Sequence, residues 1–225
     1  MSKMEFNIDW LDGWSNFKKM FKDPSSTKHI LALAKAMNGP ALKRSYSRLL
    51  ETEEGTNIAT SFPEIADLYE HLVDCQSGTV GNAILSNQNS IEVLIRLSRL
   101  GTRNRSWINR KHPYIWMARR FRDTHDIWHV LTGYDMDFFG EICLAAFSYG
   151  QTKAYQWGLI CVMGVWKLKT SPKKLLAVYE AYRRGRKCSW LLAENYEHVL
   201  KENLDDCRKR LNIFTAKRYD KITKN

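Results

Sequence analysis

The sequence predicts an all-α fold: a single-domain, multi-helix bundle of about nine helices. Three observations carry that prediction. Apolar residues recur three and four positions apart through most of the chain, the period of a helix with one buried face. No stretch alternates apolar and polar residues between hairpin turns, and no segment repeats. Glycines, prolines and capping residues punctuate the chain at helical intervals. With 225 residues and 44% hydrophobic content, one core and one domain over 1–225 are expected.

Asp9 is the expected N-cap of a helix over 10–21. It carries Trp10, Trp14, Phe17 and Phe21 near one face and Lys18, Lys19 and Lys22 beside it. Such a helix either packs on the core, the commoner case, or lies at a membrane interface. Pro24-Ser25-Ser26 breaks the chain, and 27–37 is helical with Ile30, Leu33, Ala34 and Met37 on one face. After Gly39-Pro40 a helix with a basic face covers 41–51, and the polar stretch 51–60 reads as a loop. Ser61 caps the next helix, with Pro63 in its first turn and Ile65, Leu68, Leu72 and Val73 as its stripe. Gln76-Ser77-Gly78 ends it, and 78–85 is a short helix or turn. A helix over 91–100 and a basic loop over 102–111 follow.

Pro113 and Gly133 frame one helix, with Met117, Phe121 and Trp128 on its core stripe. Ala118, Arg122, His125 and His129 form the neighbouring stripe. A long helix then runs over 141–166, where Ala146, Gly150, Ala154 and Gly158 recur every four residues. That small-residue stripe admits either another helix at close range or a thin apolar ligand. A helix starts at Thr170-Ser171-Pro172 and stops at Gly185, followed by an amphipathic helix over 187–203 and a short basic segment over 204–213. The lysine-rich stretch 217–225 is expected to be frayed.

The chemistry concentrates between Arg122 and Glu141. His125 and His129 are four apart, which on a helix puts both imidazoles on one face with Cα atoms about 6 Å apart. Two imidazoles so placed can share one transition-metal ion. Asp126 flanks the same face, and Glu141 opens the next helix after the turn Tyr134-Asp135-Met136-Asp137. Two imidazoles and one or two carboxylates leave positions for water or substrate, as a catalytic or ligand-holding metal needs. The metalloprotease motif His-Glu-x-x-His is not present, since Asp126 stands where its general base would be. Arg122, four before Asp126, either pairs with that carboxylate or holds an anionic group of a ligand.

These residues resemble a known family. His125-Asp126, His129 and, after eleven further residues, Glu141 reproduce the motif of the ubiquinone (coenzyme Q) biosynthesis protein four family, the Coq-four family. Leu131-Thr132-Gly133, Gly140-Glu141-Ile142 with Leu144 and Phe147, and upstream Gly78-Thr79-Val80-Gly81 extend the likeness over roughly 60–213. On this reading 1–60 are divergent N-terminal helices and 61–213 the family-like core, with Ile84 where a tyrosine is expected. The resemblance implies a zinc-type divalent site at His125, Asp126, His129 and Glu141, with magnesium if a ligand supplies a phosphate. It implies an apolar cavity for a prenyl or other long-chain lipid. Gly78, Gly81, Ala146, Gly150, Ala154 and Arg122 are the weaker ligand-binding candidates. It implies peripheral membrane attachment, other quinone-biosynthesis proteins as partners, and one or both of two roles. One role is organiser of the biosynthetic complex. The other is chemistry at ring carbon one of a polyprenylated hydroxybenzoate, where the carboxyl is lost and a hydroxyl gained. A homodimer is left open.

The net charge of +11 favours an anionic partner, and without a nucleic-acid signature a membrane surface or a phosphate-bearing ligand is preferred to nucleic acid. Five cysteines without Cys-x-x-Cys spacing read as thiols in a reducing compartment. No apolar run reaches the length of about 20 residues that spans a bilayer, and the first ten residues carry acids, so the expected location is cytoplasmic, on a membrane surface. Two other functions compete. An HD-type metal phosphohydrolase would need His71 or His112 and Asp135 or Asp137 as further ligands. A non-catalytic isoprenoid-lipid carrier would need no active metal.

Overall fold

A computed structural model describes residues 6–23, 26–61, 63–87, 112–167 and 171–224. Fourteen α-helices and two 3₁₀ turns account for the described chain, and no strand is formed beyond one isolated bridge between Thr79 and Asn203. The all-α expectation is met with more and shorter helices than the apolar pattern implied. The helix expected over 91–100 and the loop over 102–111 lie outside the described residues.

The described residues gather into two compact units that alternate along the chain. One comprises 1–45, 135–186 and 216–225. It opens with α1 (Trp10–Lys22), whose N-cap Asp9 accepts from the Asp12 amide at 2.9 Å, as expected. Then come α2 (Thr27–Met37) and the start of α3 (Gly39–Leu49). Met20, Leu33, Ala36, Met37 and Met163 form a buried cluster, with Phe17, Phe21, Ile30 and Leu159 packed against it. The same unit holds α9 (Phe138–Thr152), α10 (Tyr155–Lys167) and α11 (Pro172–Lys187).

The single helix expected over 141–166 is therefore two. Lys153 breaks it with a left-handed backbone, φ 54°. Its ammonium lies over the rings of Tyr149 and Tyr182, 5.2 and 4.7 Å from their centroids. The small-residue stripe is interrupted there, and helix packing accounts for it: a Cβ on Gly150 would crowd the Tyr182 carbonyl, and one on Gly185 would overlap that of Phe147. Gly185 lies inside α11 rather than stopping it. The segment expected to fray forms α14 (Lys217–Thr223), with Tyr219 only 1% exposed and stacked on Phe139 at 5.2 Å.

The other unit comprises 46–134 and 187–215. Its first helix, α4 (Glu53–Ser61), occupies the stretch read as a loop, with Ile58 and Ala59 buried. Ser61 ends that helix instead of capping the next, and α5 (Ile65–Leu68) starts after Glu64 and continues as a 3₁₀ turn over Tyr69–Asp74. Then follow α6 (Val80–Asn87), α7 (Pro113–Asp123) and α8 (His125–Thr132). The stretch expected as one helix over 187–203 is a 3₁₀ turn at Leu191–Ala193 and a short α12 (Tyr196–Lys201), with α13 (Leu204–Arg210) after it. Val80 donates to the Glu202 carbonyl and Leu204 to that of Gly78, both at 3.0 Å, which ties α6 beside α12. Gly81 permits that approach, since a Cβ would crowd the Leu200 carbonyl of α12 at 3.0 Å as well as the Cys75 sulfur.

Arg120 is buried in this unit without a carboxylate contact. It donates to the carbonyls of Leu192 at 2.8 Å and Glu194 at 2.6 Å, and its guanidinium lies over the rings of Trp116 and Tyr196. A buried cation left in water-free surroundings is costly, so its donors must be met, and two carbonyls and two π-faces meet them.

Candidate metal centre

α8 exists because Thr124 ends α7. The Thr124 hydroxyl donates back to the Arg120 carbonyl at 2.8 Å, and the chain restarts as a helix at His125. Ile127, Trp128, Val130 and Leu131 fix α8 by burial, and the Trp128 indole donates to the Tyr196 hydroxyl at 2.7 Å. Gly133 closes α8 with φ 75°, and its amide donates to the His129 carbonyl at 2.9 Å, the expected left-handed cap. The end carbonyls of Val130 and Leu131 accept from Arg208 at 2.9 and 3.0 Å. Nothing in the sequence marks Arg208 for this; it stands in a basic segment among other arginines.

The two imidazoles are edge-on, 4.9 Å between centroids and 89° between planes, as the four-residue spacing requires. His129 is buried, and its Nδ1 lies 2.9 Å from the Tyr134 carbonyl. A carbonyl only accepts, so Nδ1 carries the proton and the lone pair sits on Nε2. A ring N–H given to a backbone carbonyl is the usual orienting arrangement of a metal-ligating histidine.

The turn after Tyr134 is built as tightly. Asp137 caps α9 by accepting from Gly140 at 2.7 Å, which puts Glu141 in the first turn. Gly140 is obligatory, because a Cβ there would overlap the Asp135 carbonyl. Asp135 is held in turn by Tyr219, whose hydroxyl accepts from the Asp135 amide at 3.1 Å and donates to its carboxylate at 3.2 Å.

Along this stretch α8 presents His125 and His129 edge-on to each other, and α9 carries Glu141 in its first turn. Asp126 follows His125 on α8. Its charge acts on the Tyr69 hydroxyl and on Asp123: burial chiefly, then Asp126, holds Tyr69 well above the usual phenol range. Burial also raises the Asp123 carboxyl despite its partner Arg122. Arg122 pairs with Asp123, Nε to Oδ1 at 2.6 Å, and not with Asp126 as the helical spacing suggested. The guanidinium takes its chain neighbour although Thr124 keeps four-residue backbone bonds on both sides, its amide to the Arg120 carbonyl and the Trp128 amide to its own carbonyl.

The extra ligands of an HD-type centre are otherwise engaged. His112 caps α7 by accepting from Tyr114 at 3.2 Å, Asp135 and Asp137 build the turn, and His71 is exposed on its 3₁₀ segment.

Comparison with known proteins follows the same residues. The model of the family described as coenzyme Q (ubiquinone) biosynthesis protein Coq4 matches residues 14–217, beginning within the N-terminal stretch read as divergent. The chain is 26% identical over 204 residues to a mitochondrial ubiquinone biosynthesis protein COQ4 of Scheffersomyces stipitis, covering 86% of this chain and 61% of that one. It is 25% identical over 206 residues to the protein of the same name in Candida tropicalis, covering 87% and 61%. The chain thus spans about three-fifths of the length of these relatives (61% of each). A crystal structure from Nostoc punctiforme, described as that of a candidate ubiquinone biosynthesis protein, shares the fold with a TM-score of 0.66 at 19% identity, over 93% of this chain and 100% of that one.

Proposed function

Since the chain belongs to the coenzyme Q (ubiquinone) biosynthesis protein Coq4 family, we propose that it is a metal-dependent, prenyl-lipid-binding protein of ubiquinone or related prenylquinone biosynthesis. The observation that carries this is the pair of edge-on imidazoles on α8, His125 and His129, 4.9 Å between ring centroids, with Glu141 in the first turn of the next helix. They would hold one divalent cation, zinc in preference to magnesium because two of the three donors are imidazoles. When bound, such an ion supplies a Lewis acid able to polarise a carboxylate oxygen.

The chain's own groups supply the rest. The Tyr134 carbonyl fixes the tautomer and ring plane of His129. The Asp137 cap and Gly140 set the first turn of α9, where Glu141 stands. Asp126, next to His125, is a fourth ligand or a group that orients one. The substrate class is a polyprenylated hydroxybenzoate, whose carboxylate is the natural partner of the cation. The protein either presents this intermediate to partner enzymes or promotes loss of its carboxyl group. A non-catalytic lipid carrier is the remaining outcome if no turnover is found.

No described helix is long and apolar enough to cross a membrane, and the attachment proposed is peripheral. The curated relatives are named as mitochondrial, so a mitochondrial location stands in this proposal beside the cytoplasmic one expected from the sequence.

The test is elemental analysis of the purified protein, with native mass spectrometry for bound lipid. About one divalent ion per chain is expected in the wild type. The His125→Ala/His129→Ala double variant should carry none, and Glu141→Gln should lose at least tenfold in affinity. Unchanged metal content in the double variant would overturn the site.

A further inference from the structure

α10 is an unusual surface helix. From Tyr155 to Trp166 it carries no charged residue, yet only Gln156, Met163 and Gly164 of the helix are buried. α1 lies alongside. Trp10 meets Tyr155 at 6.1 Å and Phe21 meets Trp166 at 4.8 Å between ring centroids. Both pairs have the same offset in sequence, so the two helices run parallel, about 16 Å from one contact to the other. Met20 and Met163 take the inner sides into the core, while Trp10, Leu11, Trp14, Val162 and Trp166 are each more than half exposed. Their side chains meet water although their unit has a formed core.

The C-terminal half of α1 is basic, while Asp9 and Asp12 are exposed at its start and Asp23 just after its end. Lys18, Lys19 and Lys22 are exposed on the last two turns of α1. Lys18 Nζ stands 5.5 Å from the centre of the Trp14 ring, and Lys167 Nζ stands 5.1 Å from that of Phe21. Ammonium groups set over tryptophan and phenylalanine rings put cations and apolar rings side by side, which suits a boundary between hydrocarbon and anionic headgroups. A second copy of the chain fits less well, because lysine is depleted in protein–protein interfaces.

We propose that the paired faces of α1 and α10 dock on an anionic lipid bilayer. Trp10, Leu11, Trp14, Val162 and Trp166 enter the headgroup–acyl boundary, and Lys18, Lys19, Lys22 and Lys167 meet the phosphates. This deepens the peripheral attachment proposed above and rests on it; it does not depend on the metal.

The test is co-sedimentation of the full chain with phosphatidylcholine vesicles, with and without phosphatidylserine. Binding is expected with the anionic vesicles and should weaken as salt rises. Trp14→Ser/Trp166→Ser should reduce it at least tenfold, because each ring removes a large apolar area from the boundary. Lys18→Glu/Lys22→Glu should reduce it by roughly fivefold or more for each residue. All four residues are surface positions, and an unchanged melting temperature in either pair confirms the fold. Wild-type binding in both folded pairs overturns this face and leaves peripheral attachment standing. No binding at any composition overturns both. A dimer in light scattering that Trp14→Ser/Trp166→Ser dissociates would make the face a contact between copies and also overturn the proposal.

Discussion

The two nitrogens of His129 have separate duties: Nδ1 is spent on the Tyr134 carbonyl, and the ring is thereby aimed before any ligand arrives. Such pre-orientation is worth tenfold or more in metal affinity at comparable centres. The histidine spacing, Glu141 and the cap at Gly133 were all legible in the sequence because each is a local signal. The partner of Arg122 was not: helical spacing offers Asp126, and the guanidinium goes to its chain neighbour Asp123 instead. Arg208 was illegible for a different reason, since it caps α8 from another part of the chain. Another prediction belongs to a single thiol. Burial pushes Cys161 up to about 11. Iodoacetamide should modify it at pH 8 on the order of a hundredfold more slowly than an unhindered cysteine. The rate should rise about tenfold per pH unit toward that value, as the thiolate fraction does. Mass spectrometry of native protein labelled at several pH values reads this directly.

At the scale of elements, the apolar period located most helices but not their ends. Lys153 shows why. Lysine is a good helix former with no preference for a left-handed backbone, yet the chain breaks there, where the ammonium lies over Tyr149 and Tyr182. α4 was missed because its residues are polar and its few buried positions, Ile58 and Ala59 among them, leave too short an apolar stripe. Glycines separate the tight elements from the loose ones. Gly140→Ala should cost about 1–3 kcal/mol, because a carbonyl rather than a flexible side chain is in the way. Gly158→Ala should be neutral or stabilising by up to about 1 kcal/mol, since its Cβ would meet only the Tyr149 ring at 3.4 Å and helix propensity improves. Urea unfolding of the two variants separates them. Equal effects would mean that the first turn of α9 is not held as tightly as the contact with Asp135 implies.

For the whole molecule, the apolar period gave the class and the composition a net positive charge, while the way the chain alternates between its two units had no sequence signal. A bound ion should stabilise the fold, because it binds the native and not the unfolded chain. At about one hundred times its dissociation constant the gain is about 2.7 kcal/mol. For a chain of this size that is a rise of roughly 5–10 °C in melting temperature. Scanning calorimetry before and after chelation, with zinc restored, should show that difference in the wild type and not in the His125→Ala/His129→Ala variant. The alternation also bears on synthesis. Asp135, in the turn between the histidine helix and the glutamate helix, is clasped by Tyr219 of α14. A ribosome makes the histidines and Glu141 long before that tyrosine, so the nascent protein carries the three donors on an unbraced turn. On the proposed function, metal loading is thus expected only after α14 has left the exit tunnel.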